Sequence, residues 1–335
     1  MSKLIIQNGN MCELDLPLKF AQKLYNEFAI RHPNAFYLRT RQRGMQNWDG
    51  KIHYITKTGQ FKIGLLPKVY DMCIEMGIKP KVVDMRQPLP KVSKVVTNIG
   101  KYKLRPEQEK AVKSVINNRV GDTPFHIGVL DYTVNAGKTL IMSSLYLTYK
   151  KQLKTLLITN DSDWLNQARE EFKQYLPGED ITFVQGKVLN WSNFTIGMVQ
   201  SISRNMRFYQ KELSQIDMVL VDEADQGGSK QYQNVITRLF NTRIRIGLSG
   251  TIYMSKLAKD KVKNMNLECF FGKVIAEFKL KDSIKKGYST KTIVKMVPGK
   301  PWYGNWESDC ISYKEIYDDS ITENNTAWTM AYNRL

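Results

Sequence analysis

Residues 126–139 read His126-Ile127-Gly128-Val129-Leu130-Asp131-Tyr132-Thr133-Val134-Asn135-Ala136-Gly137-Lys138-Thr139, and the chain continues as LIMSSLYLTYK to residue 150. The apolar run His126–Tyr132 predicts a strand and Lys138–Lys150 a helix, with a short loop between them. A phosphate bound at such a junction needs backbone N–H donors with no side chain in the way. Gly137 supplies that at the tight turn, and the helix N-terminus adds a favourable dipole. Lys138 has the reach for β- and γ-phosphates, and the Thr139 hydroxyl can ligate Mg²⁺. Asn135 and Ala136 complete the loop. Tyr132 occupies the place where the full G-x-x-x-x-G-K-T pattern has its first glycine.

The same texture extends on both sides of this segment. From residue 101 onward, apolar strands alternate with amphipathic helices. The helix Pro106–Asn117 precedes it. Downstream come the strand Thr155–Thr159, the helix Ser162–Tyr175 and the strand-like runs Phe194–Val199, Met218–Val221 and Arg243–Leu248. This βαβ rhythm predicts an α/β fold with a parallel sheet covered by helices on both faces. Ligands of such sheets gather at the carboxyl ends of the strands.

Those strand ends carry the remaining candidates. Val219-Leu220-Val221 runs into Asp222-Glu223-Ala224-Asp225, placing one carboxylate for a metal ion and the next for an attacking water. Arg105-Pro106-Glu107-Gln108 lies some 30 residues before Lys138, and the two-sided amide of Gln108 could read an adenine edge. Ser249-Gly250-Thr251 closes the strand Arg243–Leu248 with hydroxyls that can hydrogen-bond the acids. Asn160, Gln200 and Ser201 follow two other strands.

The first ~85 residues form a different unit of small α+β character. Strand-like Lys3–Gln7 and Met11–Leu16 flank the turn Asn8-Gly9-Asn10. Leu18–Ile30 has helical spacing, Lys51–Thr56 and Gln60–Ile63 suggest a second hairpin about Thr58-Gly59, Val69–Met76 a helix, and Lys79–Asp84 a last strand. The two prolines of residues 85–100 make that stretch the best linker. The expected division is 1–85, a linker 86–100, an ATP-binding domain 101–280, and a connection from 281 to 335.

The chain has 335 residues with 50 Lys+Arg against 32 Asp+Glu, a net charge of +18. That excess is uneven: residues 1–100 carry 16 basic and 7 acidic side chains, residues 101–250 carry 20 and 15, and residues 251–300 carry 12 and 4. Two basic segments flank a nearly balanced middle, which points to a polyanionic partner. Arg39, Arg41, Arg43 and Lys51 interleave with Tyr37 and Trp48; arginines can pair phosphates and an aromatic can stack on an unpaired base, although Trp48 also suits the core of a small domain. Lys256, Lys259, Lys261, Lys263, Lys285 and Lys286 could line the same groove. No stretch approaches 18 consecutive apolar residues, so no transmembrane helix is expected. Cys12, Cys73, Cys269 and Cys310 lack paired spacing and read as reduced thiols. With His32, His53 and His126 as the sole histidines, a histidine metal site is not expected.

RPEQ, NAGKT, DEAD and SGT, in this order across residues 103–251, resemble the Q-type motif and motifs I, II and III of superfamily 2 helicases. The segment Arg41-Gln42-Arg43-Gly44-Met45-Gln46-Asn47-Trp48-Asp49-Gly50-Lys51-Ile52, with Gly64-Leu65-Leu66-Pro67, is similar to the N-terminal domain of UvsW-like phage branch-migration helicases. Asn325–Leu335 resembles the entry to their second motor domain. The resemblance implies a RecA-like first motor domain using ATP and Mg²⁺ to remodel branched DNA, or duplex DNA with single-strand character, in the cytoplasm of a phage host. Carried over, Gln108 with Arg105 recognises adenine, Asn135 to Thr139 hold the phosphates, and Thr139 with Asp222 holds Mg²⁺. Lys138, Asp222 and Glu223 are the catalytic set, Ser249 to Thr251 couple hydrolysis to movement, and Asn160, Gln200 and Ser201 touch the tracking strand. A second RecA-like domain is expected in the full-length protein, and the 335-residue chain is expected to bind DNA while hydrolysing ATP poorly. The alternatives are an RNA helicase of the DEAD-box type, whose third motif is normally S-A-T, a restriction-enzyme motor subunit, and a structure-specific DNA-binding module with a regulatory nucleotide site.

Overall fold

In the computed structural model, described residues are 2–41, 44–92, 94–149, 152–186, 191–252 and 260–291. Arg43, Lys256, Lys259, Cys310 and the segment 325–335 lie outside them.

The run His126–Tyr132 is a strand buried along its whole length. It belongs to a seven-stranded sheet in the order Ile181–Val184, Phe194–Met198, Thr155–Thr159, Met218–Asp222, Ile244–Ser249, His126–Tyr132 and Val274–Phe278. Every pairing in it is parallel. Strand alternation sends successive side chains to opposite faces. Leu130, Leu157 and Leu220 enter one hydrophobic cluster with the helices Pro106–Ile116, Lys138–Thr148 and Ser162–Tyr175. Val129, Ile158 and Val221 enter another, with Val199–Arg204, Lys230–Ile236 and Lys261–Phe271. Helices cover both faces, as the rhythm of apolar strands and amphipathic helices predicts.

The second cluster does not stop at the sheet. Leu4, Ile6, Cys12, Leu14 and Phe61 of an amino-terminal sheet belong to it too, so one core serves both sheets. Residues Met1–Thr290 accordingly form a single compact unit. The amino-terminal sheet runs Gln60–Lys62, Met11–Asp15, Lys3–Ile6, Lys81–Asp84. Its hairpin closes through Asn8, whose Oδ1 accepts the N–H groups of Asn10 at 2.8 Å and Met11 at 3.0 Å. Such an Asx turn is the reason for an asparagine there. Gly9 at the tip is pressed onto backbone: a Cβ would lie 2.5 Å from the Leu239 carbonyl oxygen. Arg245, fully buried on the strand Ile244–Ser249, holds the same tip. Its guanidinium donates to Gly9 O at 2.7 Å, Asn10 Oδ1 at 2.8 Å and Phe270 O at 3.2 Å.

Two local expectations change. The helix from Leu18 ends at Glu27, and Ala29–Arg31 becomes a strand. That strand captures Lys51–His53, while Gln60–Lys62 pairs with Met11–Asp15. The expected second hairpin therefore shrinks to one bridge, Ile55 with Phe61. The stretch 85–100 is held down as well: Val96 N–H donates to Thr148 Oγ1 and the Ser144 hydroxyl donates to Val96 O. Cys12, Cys73 and Cys269 are buried free thiols.

Candidate functional site

Gly137 takes φ +74° as the cap of the helix Lys138–Thr148. Only a residue without Cβ fits, because one would stand 2.3 Å from Gln108 Nε2. Two loop carbonyls are tied off: Asn135 O accepts from Arg105 at 3.1 Å and Ala136 O from Gln108 Nε2 at 2.8 Å. The backbone N–H groups of Gly137, Lys138 and Thr139 have no acceptor among the described residues. Free N–H donors at a helix start are an anion seat.

Lys138 Nζ lies 3.4 Å from Asp222 Oδ1. Asp222 is buried at the end of Met218–Asp222, and this oxygen accepts no hydrogen bond. Burial holds its carboxyl above the usual range, with Lys138 pulling it back down. A buried carboxylate oxygen with an open lone pair, beside an anion seat and the partly exposed Thr139, suits Mg²⁺, which takes one or two carboxylates and completes its shell with phosphates and water. No cluster of three or more His, Cys, Asp or Glu exists among the described residues that would favour an all-protein metal cage.

Glu223 follows with φ +52° and is exposed. Burial first, and the neighbouring Asp222 charge second, raise its pKa. Asn135, at φ +63°, and Glu223 are the two positive-φ residues other than glycine in the described chain. Each such conformation costs on the order of 1 kcal/mol, and strain of this kind gathers at functional sites. Here one such residue lies in the loop before Gly137 and the other directly follows the buried Asp222.

Gln108 is placed differently from its expected role. It is 1% exposed, its Oε1 accepts the Arg105 N–H at 2.9 Å, and its Nε2 clamps Ala136 O. Its amide thus ties the helix start to the loop before Lys138. Arg105 likewise lies against Tyr288, 4.2 Å from the ring centroid. Tyr132 stands at the missing-glycine position because its hydroxyl donates to Glu107 O at 2.8 Å. Glu107, unremarked in the sequence, is buried and pairs with Arg105 at 3.3 Å and Lys286 at 2.8 Å. Lys286 is therefore tied to the helix beside the phosphate loop.

Ser249 donates to Asp225 Oδ1 at 2.9 Å and accepts the Thr251 N–H at 3.1 Å. The Ser249-Gly250-Thr251 turn thus holds the last acid of Asp222–Asp225. At the neighbouring strand ends, Gln200 Nε2 donates to Asn160 O at 3.3 Å, while Asn160 Oδ1 and Gln200 Oε1 are buried without partners. Asp161 caps the helix Ser162–Tyr175 through Asp163 N and Trp164 N, which explains the acid at that position. Ser201 Oγ accepts Gly186 N.

The amino-terminal candidates form a separate group. Arg39 and Arg41 are exposed on the helix Ala35–Arg41, with Arg41 over the Tyr37 ring at 5.0 Å, and Lys51 is exposed. Trp48 is half-buried: its Nε1 donates to Lys51 O at 2.9 Å and its ring meets His32 edge-on. It is not a core residue.

Residues 101–254 match the family model described as Type III restriction enzyme, res subunit. The chain is 22% identical over 228 residues to the ATP-dependent DNA helicase uvsW of Enterobacteria phage T4, across 62% of this chain and 43% of that protein. It thus spans under half the length of that curated relative. Its backbone is similar to a crystal structure of the UvsW helicase from Bacteriophage T4, with TM-score 0.63 and 21% identity over 83% of this chain and 99% of that one. A second T4 UvsW structure gives TM-score 0.62 and 20% identity, covering 82% of this chain and 56% of that one. These likenesses establish the fold: a RecA-like parallel sheet preceded by a small α+β unit.

Proposed function

We propose that this chain is the ATP-binding part of a DNA helicase or translocase that remodels branched DNA. The observation that carries the reading is the pairing of Lys138 with Asp222 beside the strained Glu223, at the mouth of a phosphate-type loop. The likeness to a protein named an ATP-dependent DNA helicase supplies the direction of that chemistry.

In this reading a triphosphate seats on the N–H groups of Gly137 to Thr139, and Lys138 swings from Asp222 toward the γ-phosphate. Thr139 and Asp222 would hold Mg²⁺, which neutralises phosphate charge. Glu223 orients a water for attack on the γ-phosphorus; the bond to the β-phosphate oxygen breaks and Glu223 takes the water proton. Asp225 and Ser249 pass changes at the acids to the Ser249–Thr251 turn. Asn160, Gln200 and Ser201 at the neighbouring strand ends would meet the tracking strand, and the basic amino-terminal surface of Arg39, Arg41 and Lys51 would meet the branch. A second RecA-like domain, supplied by the rest of a longer protein, would complete the ATP cleft, and a phage-encoded protein of this kind would act in the host cytoplasm.

The test is ATP turnover and strand separation by a protein joining this chain to its second motor domain, on forked, four-way and RNA substrates. Stimulation by RNA alone would sink the DNA reading. The family match favours one rival, a restriction-enzyme motor; that reading requires translocation-coupled cleavage by an associated nuclease and no junction preference.

A further inference from the structure

Phe36 is the most solvent-open aromatic residue of the described chain, at 80% exposed, and its neighbour Tyr37 is 55% exposed. Both stand on the helix Ala35–Arg41, whose single buried side chain is Ala35. A phenyl ring held in water on a folded surface gains free energy when something covers it. Phe36 rims a cavity of about 380 Å³ together with Arg31, Arg39, Thr40, Gln46 and Asp49. Arg31, Arg39 and Arg41 are exposed and have no carboxylate partner among the described residues. Asp49 is the one acid at the rim, and it is occupied by His53 at 2.7 Å and by the Lys51 N–H at 2.9 Å.

An apolar face beside the exposed guanidinium groups of Arg31 and Arg39, with Arg41 at the end of the same helix, fits a ligand that has both a π-face and phosphates. Duplex DNA offers phosphates but hides its base faces in the stack. An unpaired nucleotide offers both. We propose that Phe36 is the stacking platform for an unpaired base at a DNA branch point, with Arg31, Arg39 and Arg41 holding the flanking phosphates. The proposal rests on the reading of the chain as a remodeller of branched DNA and names the part of the surface that tells a branch from plain duplex. It assigns to Phe36 the stacking part that composition alone gave to Trp48.

The 335-residue chain, as the wild type, Phe36→Ala and Phe36→Trp, is titrated onto a blunt duplex and onto a fork of equal length that carries 2-aminopurine at its unpaired branch nucleotide. Binding is read by anisotropy and stacking by quenching of the 2-aminopurine. Because Phe36 is exposed, its removal leaves the core intact, and unchanged affinity for a fluorescent ATP analogue controls for folding. Phe36→Ala should weaken fork binding by about tenfold or more and abolish quenching, the loss expected for one base–aromatic stack. Duplex affinity should stay within about twofold, and Phe36→Trp should retain fork binding. Wild-type fork affinity in Phe36→Ala, or an equal loss on fork and duplex, overturns the stacking assignment alone. Failure of the wild-type chain to bind either DNA overturns the remodelling reading and this proposal with it. Tighter binding to an RNA fork overturns the choice of ligand.

Discussion

Lys138 and Asp222 meet at 3.4 Å although a whole strand, Ile244–Ser249, separates the two strands that position them. Sheet order, rather than sequence neighbourhood, brings the phosphate-loop lysine to the buried carboxylate. The intervening strand ends in Ser249, which holds Asp225. Lysine, buried acid and hydroxyl turn therefore gather at the same end of the sheet.

Lys138→Ala removes a charged donor from the phosphate seat. Nucleotide affinity should fall by about 10–150-fold, the range for a hydrogen bond to a charged group. Titration with a fluorescent ATP analogue measures this, and an affinity unchanged from wild type would contradict the seat assigned to the loop.

Asp222→Asn should stabilise the nucleotide-free chain and abolish Mg²⁺-dependent stabilisation by ATP. The folded carboxyl sits above its ordinary pKa because burial penalises the charge. Its contribution to stability is thus fully present below the unfolded pKa and is lost as pH rises through the raised folded one, so at neutral pH the ionised group is a burden. Removing the charge should raise Tm, by about 2–4 °C for each kcal/mol relieved. Thermal melts with and without Mg²⁺ and ATP read both effects.

Glu223→Gln should lower ATP turnover by about 10²-fold or more while leaving ATP and DNA binding intact. The carboxylate is the working form and its pKa is raised by burial and by Asp222. Turnover should therefore fail on the acid side at a higher pH than an ordinary glutamate would dictate. A pH–rate profile whose acid limb matches a free glutamate would count against this environment.

Arg245→Met strips the donors from Gly9 O, Asn10 Oδ1 and Phe270 O inside the core. Each orphaned acceptor costs about 1–3 kcal/mol, so unfolding in urea should shift by about 3 kcal/mol or more. Hydrogen exchange should quicken first in Lys3–Ile6 and Met11–Asp15, where the hairpin tip is anchored.

The central sheet was legible because strands buried on both faces appear as unbroken apolar runs, His126–Tyr132 above all. The outer strands Ile181–Val184 and Val274–Phe278 are half-buried, which leaves no such run to read. The helix Ala35–Arg41 buries one residue and so has no helical period. Lys51–His53 found its partner across the chain in Ala29–Arg31, a choice that turn chemistry at Thr58-Gly59 cannot reveal. The strand-to-helix turn Asn135–Thr139 was legible because its parts lie in one local segment between an apolar run and a helix. The partners of Gln108 were not: nothing in the local sequence tells that its amide ties the Arg105 N–H to Ala136 O.

The core shared by the two sheets removes the joint that a linker would have provided. Helix Lys261–Phe271 lies against the turn Ile63–Leu65 so closely that a Cβ on Gly64 would come within 2.1 Å of Glu268 O. A hinged attachment would let the amino-terminal surface lag behind the nucleotide site and dissipate its motion. In the proposed motor reading, the shared core would carry that surface along with the nucleotide site, through Arg245 on the very strand that ends at Ser249.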